Sequence, residues 1–115
     1  MKEHLNIIAR ECMSTLAEIG IPCGEVVDFT VNTRAKKRWG QCIKKTDGYH
    51  ININAKLCDG EHDDGLKDTI IHELLHTCPE CMTHGKQWRK WSRLVRDKTG
   101  INVQATNTAT SKGLE

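Results

Sequence analysis

The chain has 115 residues, of which 37% are hydrophobic and 28% charged, and its formal net charge is only +2. That length supports one domain with a modest core and excludes two. No apolar run approaches the roughly 20 residues of a membrane span. Glu3, Asn6, Arg10 and Glu11 break up the N-terminal stretch where an export signal would need an apolar run, so the expected location is the cytoplasm.

The small net charge hides segregation. Twelve of the seventeen basic residues fall in two windows, 34–45 and 86–98, while Asp59 to Asp68 is acidic. Six cysteines (Cys12, Cys23, Cys42, Cys58, Cys78, Cys81) would suggest disulfides in a secreted chain; in the cytoplasm they read as reduced thiols. Their spacing gives one C-x-x-C, at Cys78 and Cys81, and no second one to complete a four-thiolate zinc site.

Residues 2–19 read as an amphipathic helix, with Leu5, Ile8, Ala9, Cys12, Leu16 and Ile19 at three- and four-residue steps. Gly20 is placed to end it, and Pro22 prevents continuation. From Glu25 the period changes to two: Val27, Phe29 and Val31 alternate with Asp28, Thr30 and Asn32, which predicts a half-buried strand. A second strand runs from Trp39 to Lys45, and Asp47-Gly48 signals a hairpin into a third, Tyr49 to Asn54. Lys56 to Gly65 is a polar loop in which Asp63 or Asp64 could cap a helix starting near Leu66.

That helix carries His72-Glu73-Leu74-Leu75-His76. Residues four apart share a helix face, so His72 and His76 can aim ring nitrogens at one ion. Glu73, about 100° round from His72, sits at the edge of that face, where it can deprotonate a metal-bound water without ligating the metal. Leu66, Ile70, Ile71, Leu74 and Leu75 fill the opposite half. Zinc hydrolases present three protein ligands and leave a fourth position for water, which the metal makes acidic. The third ligand is expected from His84, with Cys78, Cys81, Glu80 and His62 as competing donors. Tyr49 and His50 are the available donors to a developing oxyanion.

Pro79 breaks the chain after His76. A last helix is predicted from His84 to about Lys98, stopping at Gly100. Trp88, Trp91, Leu94 and Val95 lie on the side of His84, and Lys86, Arg89, Lys90, Arg93 and Arg96 gather on the opposite side. The domain is expected over 1–103, with 104–115 a disordered tail rich in Thr, Asn, Ala and Ser.

The run His72-Glu73-Leu74-Leu75-His76, then His84-Gly85-Lys86-Gln87-Trp88, resembles the SprT-like zinc metallopeptidases, whose third histidine opens a helix after a variable spacer. Arg38-Trp39-Gly40-Gln41-Cys42 and Tyr49-His50-Ile51-Asn52-Ile53-Asn54 are similar to the related YgjP-like peptidases, with Gln41 where serine is usual. The resemblance implies a compact zincin-like α+β fold, comprising an N-terminal helix, a three-stranded antiparallel sheet, the metal helix and a ligand-bearing helix. It also implies Zn2+ as cofactor, His72, His76 and His84 as its ligands, and Glu73 as catalytic acid/base.

Two functions follow. One is a zinc-dependent endopeptidase, expected as a monomer, that takes extended polypeptide by strand addition at an edge strand such as Tyr49 to Asn54. The other is a nucleic-acid-binding module with a mainly structural zinc, using the basic face of the last helix. The two combine if DNA recruits the peptidase to DNA-associated proteins.

Overall fold

A computed structural model describes residues 1–105. Three helices, α1 (Lys2–Glu18), α2 (Asp63–Leu75) and α3 (Lys86–Thr99), combine with three strands, β1 (Val26–Asn32), β2 (Gly40–Lys45) and β3 (Gly48–Asn54). The class is α+β, with α1 and α2 packed on one face of the sheet. Among the described residues no helix is long and apolar enough to cross a membrane.

Helix α1 buries the apolar stripe Leu5, Ile8, Ala9, Cys12 and Leu16. It ends where Gly20 turns left-handed at φ 82°. There Gly20 N–H donates to Ala17 O and Ile21 N–H to Leu16 O, which satisfies two terminal carbonyls. Ile21 and Leu16 both belong to the core, so the cap also sets the chain's entry into β1.

The sheet corrects the antiparallel expectation. Its order is β1-β3-β2; β2 pairs antiparallel with β3, but β1 pairs parallel with it. The physical reason is the connection 33–39, which arches over the end of β3 instead of closing a hairpin. Asn54 holds that arch: its side-chain amide donates to Arg38 O (3.0 Å) and Ala35 O (3.4 Å), and its backbone N–H to Trp39 O (2.9 Å). Asn32 Oδ1 accepts from the amides of Arg34 and Ala35 at the arch's other foot. Strand Tyr49 to Asn54 is therefore central, and β2 takes an edge beside α2. Val27 departs from the alternation expected of it. The β1–β3 register shifts between Val26 and Asp28, and Val27 lies exposed at that bulge.

Phe29, Ile51 and Ile53 meet Leu5, Ile8, Leu16, Leu66, Ile70 and Leu74 in the core. Each such side chain contributes roughly 1.5–3 kcal/mol by leaving water. Helix α2 starts at Asp63, three residues before the predicted Leu66, with His62 at its N-cap and no side-chain cap bond. Asp63 is bonded instead to His4 of α1, at 2.7 Å. The helix is buried all round: Leu66, Ile70, Ile71, Leu74 and Leu75 on one side, Asp68, Thr69, His72 and Glu73 on the other. Its polar side is thus covered rather than solvated, and the site lies there.

Candidate metal centre

His72 and His76 stand one turn apart on α2, and His76 is its C-cap residue (φ −66°, ψ −18°). Beyond it the chain must reverse. The Thr77 hydroxyl closes the helix on Leu74 O at 2.6 Å, and Glu80, in the left-handed region at φ 61°, turns the spacer back. The reversal delivers Cys81 O to His76 Nδ1 at 2.6 Å. His84 then lies just ahead of α3, whose N-cap is Gly85; the predicted start at His84 is two residues early. Arg89, one turn into α3, donates from Nε to His84 O at 3.0 Å and fixes the approach to the helix.

The three rings converge. His84 Nε2 is 2.9 Å from His72 Nε2 and 3.1 Å from His76 Nε2. Trp88 forms the floor, its ring 4.8–5.9 Å from all three imidazoles, and its indole N–H points to His72 O at 3.4 Å. Among the described residues these histidines form the one group of donors close enough to hold a metal ion.

The proton arrangement tests whether an ion fits. A carbonyl oxygen only accepts, so Cys81 O puts the proton of His76 on Nδ1, and Gln104 O, 2.9 Å from His72 Nδ1, does the same for His72. Both Nε2 atoms then present lone pairs towards His84 Nε2, which can donate to only one of them at a time. With the His84 proton on Nδ1 instead, three nitrogen lone pairs meet at one point and suit a cation, and the carbonyls supply the outer bonds that hold ligand rings in place. Burial first of all pushes the pKa of His76 down, partly countered by the Cys81 carbonyl. Burial, then His76 and Arg89, lowers that of His84. Neutral imidazole is the ligating form.

Glu73, next to His72 on α2, is buried. Its carboxylate reaches the start of β2, where Gly40 leaves space, and its charge acts on Cys42. Burial, helped by Glu73, pushes the Cys42 thiol up to about 12.

The other sequence candidates are placed elsewhere. His62 bonds Asp59 at 2.9 Å; His50 lies between Asp28 and Asp47, both at 2.8 Å. The Tyr49 ring packs on Gly24, whose amide is bonded to Thr77. The Cys78 and Cys81 sulfurs stay outside the histidine group. Both are buried within the spacer, and Cys78 shares a hydrogen bond with Cys23 that lowers the Cys23 pKa and raises that of Cys78. Lys86, Arg89, Lys90, Arg93 and Arg96 are all exposed along α3.

Sequence reasoning missed the main-chain carbonyls that orient the rings, and the strap that supplies one of them. After α3 the chain doubles back as a strap, residues 101–105, that brings Gln104 O to His72. The Ser92 hydroxyl pins the strap by donating to Val103 O at 2.6 Å, and Val103 is buried. Gln104 acts through its main chain, which no side-chain pattern could reveal. Residues 106–115, most of the segment expected as a tail, lie outside the described residues.

No curated protein matches the chain. The SprT-like family matches it over residues 9–108, from the middle of α1 past the strap that reaches His72, and the chain belongs to that family.

Proposed function

We propose that this domain is a zinc-dependent metalloendopeptidase. The observation that carries the reading is the convergence of three Nε2 atoms from His72, His76 and His84, with Glu73 buried next to His72 in the sequence of α2. Three imidazoles match the ligand set of catalytic zinc, which leaves one position open. Zinc, when bound there, acts as a Lewis acid that makes water a nucleophile near neutral pH and polarises the scissile carbonyl. Glu73 takes the proton of the attacking water and passes it to the leaving amine. The carbonyls of Gln104 and Cys81 keep His72 and His76 oriented, and Trp88 holds all three rings from below.

Substrate is extended polypeptide. Strand β2, an edge of the sheet starting at the Glu73 carboxylate, offers main-chain groups for strand addition. This role replaces the one expected of Tyr49 to Asn54, which is the central strand. The domain works as a cytoplasmic monomer in this reading.

The test is cleavage of an unfolded protein by wild type and Glu73→Gln at equal zinc content. The variant should lose about 10²–10⁴-fold in rate. Equal rates in the two proteins would sink the reading.

A second reading has its own support. Lys86, Arg89, Lys90, Arg93 and Arg96 are exposed on one helix, and Arg89, Arg93 and Arg96 line a cleft of about 410 Å³ against residues 102–105. Such a face suits the phosphates of DNA, and would either recruit the peptidase to DNA-associated proteins or serve a binding module whose zinc is structural. Binding should weaken steeply with salt. Undetectable or salt-insensitive binding to single- and double-stranded DNA excludes it.

A further inference from the structure

Glu73 meets a strand residue that has no side chain. A Cβ on Gly40 would lie 3.0 Å from Glu73 Oε2, 3.2 Å from Glu73 Cγ and 2.8 Å from Thr69 Cγ2. The position faces the helices, because Gly40 pairs with Ile53, and both Ile53 and Ile51, two residues before it on the same face of β3, are fully buried. No left-handed backbone requires glycine here, since Gly40 is absent from the positive-φ residues. A strand glycine without that need marks a close approach.

Neither Thr69 nor the strand itself can yield easily. The Thr69 hydroxyl donates to Gly65 O at 2.8 Å, so turning its methyl away from Gly40 breaks a buried hydrogen bond. Strand β2 is tied to β3 by its ladder, and just before Gly40 the carbonyls of Arg38 and Trp39 accept from Asn54. Of the three, the Glu73 side chain has the most torsions to reset, so it is the group that gives way.

We propose that Gly40 is a positioning residue: its bare backbone lets the Glu73 carboxylate occupy its place between α2 and β2, and any side chain at 40 displaces it while leaving the three histidines unmoved. The consequence for catalysis rests on the reading of Glu73 as the base; the displacement itself does not. Orientation of a reacting group is expensive to lose, and a misplacement of 1 Å can cost about 10²-fold.

The experiment compares wild type, Gly40→Ala, Gly40→Ala/Thr69→Ser and Glu73→Gln. Zinc affinity is read by chelator competition, folding by melting temperature, and kcat and KM on an unfolded protein. Crystal structures of wild type and the alanine variant are solved alongside. Gly40→Ala should keep its zinc affinity within about threefold and lose about 10²-fold in kcat with little change in KM. Thr69→Ser removes the methyl that makes the shortest contact but keeps the hydroxyl. It should restore the melting temperature and leave kcat low, because both contacts with Glu73 persist. If Gly40→Ala does not fold, the same readouts are taken on the double variant.

Wild-type kcat in Gly40→Ala overturns the proposal. So does a double variant in which kcat recovers together with melting temperature, since the defect was then general packing. Should Glu73→Gln match wild type, the base assignment falls and the crystal structures decide Gly40 alone. A carboxylate displaced by more than about 0.5 Å over unmoved histidines supports the proposal; an unmoved carboxylate overturns it.

Discussion

The histidines of the metal centre and His50 on the open face of the sheet use the same side chain with opposite partners. At the centre, two of the three rings give Nδ1–H to a carbonyl and keep a lone pair on Nε2. On the sheet, both His50 nitrogens meet carboxylates, Asp28 at Nδ1 and Asp47 at Nε2. Burial favours the neutral ring and moves the pKa values of His76 and His84 down, at His76 against the pull of the Cys81 carbonyl. Two carboxylates favour a proton on each nitrogen; the hydrogen bonds to Asp47, then Asp28, move His50 up. Burial therefore keeps a histidine neutral and able to ligate, whereas paired carboxylates turn it into a cation.

The strongest way to break this comparison is to delete a ring from each side. Zinc at a hundredfold excess over its Kd stabilises a folded protein by about 2.7 kcal/mol. His76→Ala should abolish the zinc-dependent rise in melting temperature, because it removes one of three donors. His50→Ala should retain the rise in full. A zinc response equally lost in both variants would mean that His50 also reaches the ion.

A subtler cut leaves all ligands in place. Ser92→Ala frees the strap whose next carbonyl, Gln104 O, orients His72. Loss of such an outer partner typically costs 10–100-fold in metal affinity. We expect roughly that weakening in chelator competition, with Ser92→Thr near wild type because it keeps the hydroxyl. Unchanged affinity in Ser92→Ala would show that His72 is oriented without the strap.

The strap also marks where legibility in the sequence stops. Spacing pointed to His72, Glu73 and His76 and favoured His84 over the competing donors, and the structure brings the three rings together, because i,i+4 geometry and a helix opening after a turn are local facts. The stripe of α1, the Asp47-Gly48 hairpin and the stop of α3 at Gly100 were legible for the same reason. Strand order was not. A hairpin signal joins β2 to β3 but is silent on which side of β3 the strand β1 adds, and that choice fixed its parallel direction. The link of Cys78 to Cys23 spans the sequence from the end of α1 to the end of α2, beyond any local pattern. Gly40 did carry a signal, a lone glycine where a strand begins, but its meaning depended on which helix lay opposite.

Proton titration sharpens the comparison further, in zinc-free protein. The pKa values of His76 and His84 are lowered from 6.5 in the fold, so the unfolded chain binds more protons below that pH. Their contribution to stability is present above pH 6.5 and lost as pH falls through the lowered values. The urea midpoint of wild type should therefore fall on acidification below 6.5 more steeply than that of His84→Gln. Parallel curves would mean that His84 is not held neutral by its surroundings.

His50 should do the reverse, with the smallest effect. Its pKa is raised from 6.5, so its contribution is complete below 6.5 and is lost as pH rises through the raised value. Asp47 is held below its usual 3.8, chiefly by the hydrogen bond from His50, so the pair persists well into acid. Side-chain exposure of 43% for Asp28 and 59% for Asp47 keeps each ion pair weak and open to salt. The melting temperature of wild type should exceed that of His50→Gln by a small margin near pH 5. The margin should shrink as pH passes above 6.5, and shrink again at 1 M salt. Asp28→Asn and Asp47→Asn should each remove part of it. A margin that grows with pH would mean that His50 is neutral between its carboxylates, and the contrast between buried and carboxylate-paired histidines would fail on its own ground.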